Sequence, residues 1–167
     1  MSRTSMSRRA FAAGLAGVLA TPARLFARGA EPSATAKGFV EKIYGNYVGG
    51  ADKGATGVQL ENAADIKRYF TPGLASLILD DEAAAHERGG PPTLDGDAFI
   101  GHQEWKIADL SVDAKEIGPK AKATVSFTNF GKPEKVMVEL LKVGPDWRIA
   151  DIQWGDASTL RGLFRKK

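Results

Sequence analysis

Asp151 is the residue whose type and spacing come closest to a recognisable chemistry. In the run Trp147-Arg148-Ile149-Ala150-Asp151-Ile152 it alternates with Trp147 and Ile149, so on a strand it would share their apolar side. A carboxylate held there loses hydration and its pKa rises, which suits a general base working near neutral pH. The competing reading is a structural carboxylate, bonded to neighbouring backbone or to Arg148 beside a strand bulge. That reading is preferred, because a base needs partner groups converging on one substrate atom and none is legible around Asp151.

The other chemically capable residues are scattered. His86 and His102 are the only histidines, and neither has a second ligand at helical or hairpin spacing, so no metal site is expected. Asp95-Gly96-Asp97 with Glu104 has part of a calcium loop but lacks the third alternate oxygen ligand and the closing glutamate spacing. A loop that starts a helical turn at Asp97 fits better. Ser126 has no adjoining histidine and carboxylate, no glycine run cradles a phosphate, and no cofactor is expected. Without cysteine there is no disulfide, lipid-bearing thiol or thiolate nucleophile. Trp105, Trp147 and Trp154 could stack a ring-shaped ligand, yet strand tryptophans are more often core.

These residues must be positioned by helices first and strands afterwards. Phe39, Ile43 and Tyr47, with Val40 and Tyr44 beside them, give one apolar face and predict a helix over 34–48. A second short helix is expected after Asn62 as N-cap, with Ile66, Tyr69 and Phe70 inward. Thr71-Pro72 opens a third, threonine capping and proline at the first helical position, with Leu74, Leu77 and Ile78 buried and an end near His86. From Glu104 onward the period is that of strands. Trp105 and Ile107 alternate out of phase with Leu110 and Val112, which requires a bulge near Ala108 or Asp109. Ala123, Val125 and Phe127 alternate with polar neighbours, Gly131-Lys132-Pro133 turns the chain into Val136, Val138 and Leu140, and Gly144-Pro145-Asp146 turns it again into Trp147–Trp154. Short loops of this kind make an antiparallel meander. A closing helix with Leu160, Leu163 and Phe164 on one side and Arg161, Arg165, Lys166 and Lys167 on the other is expected to pack back onto the domain.

The first 29 residues read as a twin-arginine export signal. Ser7-Arg8-Arg9-Ala10-Phe11 precedes an apolar core of only 11 residues, 10–20, too short for a bilayer span, and Ala27-Arg28-Gly29 offers small residues for a signal peptidase. The expected partners are therefore the twin-arginine export machinery and signal peptidase, with no stable membrane anchor and a periplasmic or otherwise exported destination. The whole chain carries 23 basic and 20 acidic residues. Five of the arginines (Arg3, Arg8, Arg9, Arg24, Arg28) fall in 1–29, where there is no acid, so residues 30–167 hold 18 basic against 20 acidic residues. The basic balance belongs to the signal, and a nucleic-acid partner is not expected. Residues 30–167 suit one domain.

The helix-then-meander order, Tyr69-Phe70-Thr71-Pro72 opening a helix, and Trp147–Ile152 in the last strand resemble the nuclear-transport-factor-like (cystatin-like cone) superfamily. Asp97-Ala98-Phe99, Gln103-Glu104-Trp105 and Leu160-Arg161-Gly162-Leu163 are similar to the bacterial envelope family known as domain of unknown function 3828. The resemblance covers about residues 35–165. It implies an α+β fold, about three helices packed on a curved four-stranded antiparallel sheet, with a pocket between the concave face and the helices. Tyr44, Trp105, Phe127, Trp147 and Asp151 are the residues expected to line that pocket. Members of the family often carry a lipoprotein cysteine that this chain lacks, so tethering is not carried over. The functional expectation is an exported envelope module that binds an unidentified ligand or protein through the cone pocket or sheet face. A homodimer through the sheet face is one arrangement the resemblance allows. The alternative is a small hydrolase or isomerase with Asp151 as general base, and the missing partner groups lean against an enzyme.

Overall fold

Side-chain caps and apolar spacing set the helices. The computed structural model describes residues 35–155 and 157–165; the expected export signal, with Ser7, Arg8, Arg9 and Phe11, lies outside the described residues. Helix α1, Ala36–Tyr44, starts where the Thr35 hydroxyl accepts from Gly38 N at 3.1 Å, and Glu116, far along the chain, accepts from Ala36 N at 2.6 Å. It buries Ala36, Val40, Ile43 and Tyr44 and runs into a 3-10 turn, Gly45–Tyr47, which buries Tyr47. Helix α2, Ala63–Tyr69, is capped by the Asn62 side chain, which accepts from Ala64 N and Asp65 N. Helix α3, Pro72–Arg88, has proline in its first turn and ends two residues beyond the expected end near His86, with Gly89 as a left-handed cap. The Thr71 hydroxyl makes no capping bond, contrary to expectation. Instead the Thr71 N–H donates to the Ile149 carbonyl at 2.8 Å, tying the helix entry to the last strand.

Four antiparallel strands follow in the order β1-β2-β3-β4, so the protein is an α+β fold with an open sheet, not a closed barrel. They are β1 Ile107–Ile117, β2 Lys120–Asn129, β3 Lys132–Val143 and β4 Asp146–Gln153. Trp105 and Trp154, expected inside the first and last strands, fall just outside them. The expected bulge is present between Ala108 and Ser111, and Asp109 takes a positive φ of 53° there. A second irregularity, between Glu139 and Leu140 opposite Ala150, is the strand bulge that the structural reading of Asp151 supposed, although the period alone does not mark it. Alternation divides the sheet into two faces. Val112, Val125, Val136, Val138, Leu140, Ile149 and Ile152 are buried on the inner one, in a single core with Val40, Ile66, Leu74 and Ile78 of the helices. The tail forms helix α4, Leu160–Arg165, with Leu160 buried and Leu163 and Phe164 packed half-buried against the core. Among the described residues no helix is long and apolar enough to cross a membrane.

Candidate functional site

The inner-face residues expected to line a pocket are core. Tyr44 is fully buried, its ring lies 6.2 Å from that of Tyr47 and 6.4 Å from that of Phe127, and its hydroxyl donates to the Phe99 carbonyl at 2.8 Å. Trp105 joins this group edge-on to Tyr47 at 5.4 Å. Gly57, at φ 65°, leaves room for both rings, since a Cβ there would sit 2.9 Å from Tyr47 and 3.1 Å from Trp105. Tyr44, Trp105 and Phe127 are thus brought together as packed rings. Trp147, buried near the β3–β4 turn at the other end of the sheet, has Lys142 Nζ 5.1 Å from its ring centre. The indole N–H groups of Trp105, Trp147 and Trp154 are buried without a hydrogen-bond partner among the described residues.

Asp151 is not on the apolar side with Trp147 and Ile149. The irregularity at Ala150 inserts one residue, so Ile149 and Ile152 both point inward and Asp151 pairs with exposed Glu139 on the outer face. Asp151 Oδ1 accepts from Ile152 N at 2.9 Å and from Arg161 N at 3.0 Å, while Arg161 Nε donates to the Ala150 carbonyl at 2.6 Å. The carboxylate holds α4 against β4. Asp151→Ala is expected to lower stability by about 1–2 kcal/mol, the usual cost of losing such backbone-capping bonds, read as a shifted denaturation midpoint. A midpoint that does not move would contradict this role.

A half-buried carboxylate beside the aromatic cluster, Asp97, was not singled out as a site by periodicity; Thr71, Asp81 and Asn129 are the more deeply buried polar residues described. Asp97 Oδ2 accepts from the Tyr47 hydroxyl at 2.7 Å, and its Oδ1 accepts from Phe99 N at 2.8 Å and Ile100 N at 3.2 Å, starting the expected turn. The Tyr47 oxygen in turn accepts from Val58 N at 3.0 Å. Burial raises the Asp97 pKa, against the lowering effect of these hydrogen bonds. Burial, then the Asp97 charge, push both the Tyr44 and the Tyr47 phenols upward, so both stay protonated donors. Every polar atom of this knot is used within the domain, which makes it a brace for the 97–101 turn. The signal that could have suggested it is a tyrosine on a buried helix face, because a buried hydroxyl requires a partner.

The remaining candidates do not converge. His102 Nε2 lies 2.9 Å from Glu134 Oε2 in an exposed pair, His86 is exposed on α3, and no group of three metal-ligating side chains occurs among the described residues. Ser126 sits on the outer face between Ser111 and Lys135.

That outer face is the notable surface. It carries Ile117, Met137 and Val143, which are 68%, 43% and 38% exposed, and α4 is held at its β4 edge through Asp151. Its cross-strand rows include Lys115, Lys122, Glu139 and Asp151, and beside them Ile117, Lys120, Leu141 and Arg148. An apolar and lysine-rich sheet face of this kind suits binding by contact rather than acid–base chemistry.

The fold and this surface define an α+β domain with one face of an open meander sheet buried and the other free. No family profile matches the sequence, and no curated protein is similar to it. Among solved structures, a chain of the type VI native effector–immunity complex Tae3–Tai3 from Ralstonia pickettii is similar at 28% identity, over 55% of this chain and 73% of that one, with a TM-score of 0.40.

Proposed function

We propose that this chain is an exported, non-catalytic binding module of the bacterial envelope, built on a nuclear-transport-factor-like fold and working through the outer face of its sheet. One observation carries the reading: the outer face presents exposed Ile117, Met137 and Val143, while the inner face is filled by Tyr44, Phe127 and Trp147. The hydrolase or isomerase alternative loses its support, because Asp151 stands on the outer face as a brace for α4. The test is Ile117→Glu with Met137→Glu, which places charge on the face without touching the core. The double variant should keep its melting temperature and lose retention of envelope components that the parent retains. Equal retention by both proteins would overturn the reading.

Export rests on Ser7-Arg8-Arg9-Ala10-Phe11 and the short apolar run after it. Arg8→Lys with Arg9→Lys is expected to leave the precursor in the cytoplasm. Cell fractionation checks this, and undiminished protein in the periplasm would contradict it.

A further inference from the structure

At the end of the outer face formed by the β1–β2 hairpin, an open cavity of about 500 Å³ is lined by Lys115, Ile117, Lys120, Lys122, Glu139 and Leu141, with Ala121, Leu140 and Ala150 beneath. Its charge is unbalanced. Lys122 pairs with Glu139 at 2.9 Å, whereas Lys115 and Lys120 form no ion pair among the described residues. Three ammonium groups thus face one carboxylate. Lys115 and Lys122 are also direct cross-strand partners, an arrangement that costs stability when like charges oppose each other. Beside them Ile117 is the most exposed large apolar residue described, and it pairs across with Lys120, whose other neighbour is Leu141. The neighbouring Arg148 does not add to the cavity's cationic rim, because it is tied to Asp146 at 3.2 Å and to the Trp147 carbonyl at 2.9 Å.

Uncompensated lysines and an exposed isoleucine each work against the free protein, and one class of ligand relieves both. We propose that this cavity binds a single amphipathic anion, an aliphatic chain ending in a carboxylate or phosphate. The chain lies along Ile117 and Leu141, and the head group takes charge-assisted hydrogen bonds from Lys115 and Lys120. The volume falls in the range of small-ligand sites, which favours a free amphiphile over a bilayer. This inference rests on the outer-face reading above and names its ligand class. The competing explanation is that the lysines only keep this face of the sheet solvated, in which case no ligand binds.

The test uses the full chain and isothermal titration with dodecanoate below its micellar concentration, beside dodecanol, acetate and phosphatidylglycerol vesicles. Saturable one-to-one binding of dodecanoate is expected, with dodecanol and acetate each at least about tenfold weaker, since each lacks half of the recognition. Lys115→Gln with Lys120→Gln should weaken dodecanoate about tenfold or more without lowering the melting temperature, and Ile117→Ser should weaken dodecanoate but not acetate. No binding, equal binding of dodecanol, or an unchanged Lys115→Gln/Lys120→Gln variant would overturn the inference. Vesicle cosedimentation lost in the lysine variant, without binding of free dodecanoate, would overturn it in favour of a membrane surface. If dodecanoate fails while envelope components are still retained through Met137, the ligand class is wrong and the outer-face reading stands. If both fail, that reading falls as well.

Discussion

Phe99→Ala is expected to lower the folding free energy by about 3–5 kcal/mol, the usual cost of emptying a buried aromatic site. Phe99 is fully buried in the segment between α3 and β1, yet it is the centre of an aromatic cluster that reaches three other elements. Its ring stacks on Phe70 at 5.6 Å with an 18° interplanar angle, meets Tyr69 edge-on at 5.7 Å and lies 6.4 Å from Tyr47. Its carbonyl accepts from Tyr44, and its N–H donates to Asp97. Truncation therefore leaves a void that the rings of α1, α2 and the 3-10 turn cannot fill without giving up these bonds. Denaturant unfolding with an unchanged m-value is the appropriate measurement. A loss below about 1 kcal/mol would show that the segment 97–101 is peripheral to the core.

Asp97→Ala should cost about 2–4 kcal/mol, because it strands the Tyr47 hydroxyl and two backbone N–H groups in a largely buried place. Tyr47→Phe alone should cost less, and the double variant should cost less than the sum of the two, since both remove the same 2.7 Å bond. Strict additivity would contradict the pairing. The pH dependence has a definite sign. Burial raises the folded pKa of Asp97 above its ordinary value of 3.8, so the folded state holds this proton more firmly than the unfolded chain. Its contribution to stability is therefore greatest below 3.8 and is lost as pH rises through the folded value. Asp97→Asn removes that dependence and keeps an oxygen for Phe99 N and Ile100 N. The difference in stability between variant and parent should move in the variant's favour as pH rises through this window. A difference that is flat, or that moves the other way, would mean the hydrogen bonds outweigh burial.

Local signals carried most of the fold. The four-residue spacing of Phe39, Ile43 and Tyr47, with Val40 and Tyr44 beside them, gave the first helix, which ends at Tyr44 and leaves Tyr47 in the 3-10 turn; Asn62 gave the second, and the phase change between Ile107 and Leu110 gave the bulge where Asp109 takes a positive φ. The site was less legible, for two physical reasons. A strand irregularity with alanine at its centre leaves no mark in composition, so Asp151 was expected on the inner side with Ile149 and stands outside with Glu139. Whether an inner face encloses a pocket also depends on ring sizes meeting across elements. Tyr44 and Phe127, 83 positions apart, close that space in a way no period reveals. The Asp97–Tyr47 bond is equally long-range, spanning 50 residues. By contrast, the wet outer face of β2 is plain from its alternation. The lysine cluster follows only once the turns set the register that places Lys115 against Lys122.

The outer face of the sheet, and not the inner one, is proposed to make the contacts. Photo-cross-linking tests this most directly, with a photoreactive side chain placed in the full chain at Met137 on the outer face and, separately, at Glu87 on exposed α3. In envelope extract, a discrete adduct is expected from position 137, lost when Ile117→Glu is added, and none from position 87. Mass spectrometry of the adduct tells a second copy of the chain from another molecule. No adduct from position 137, or the same adduct from both positions, would contradict the account.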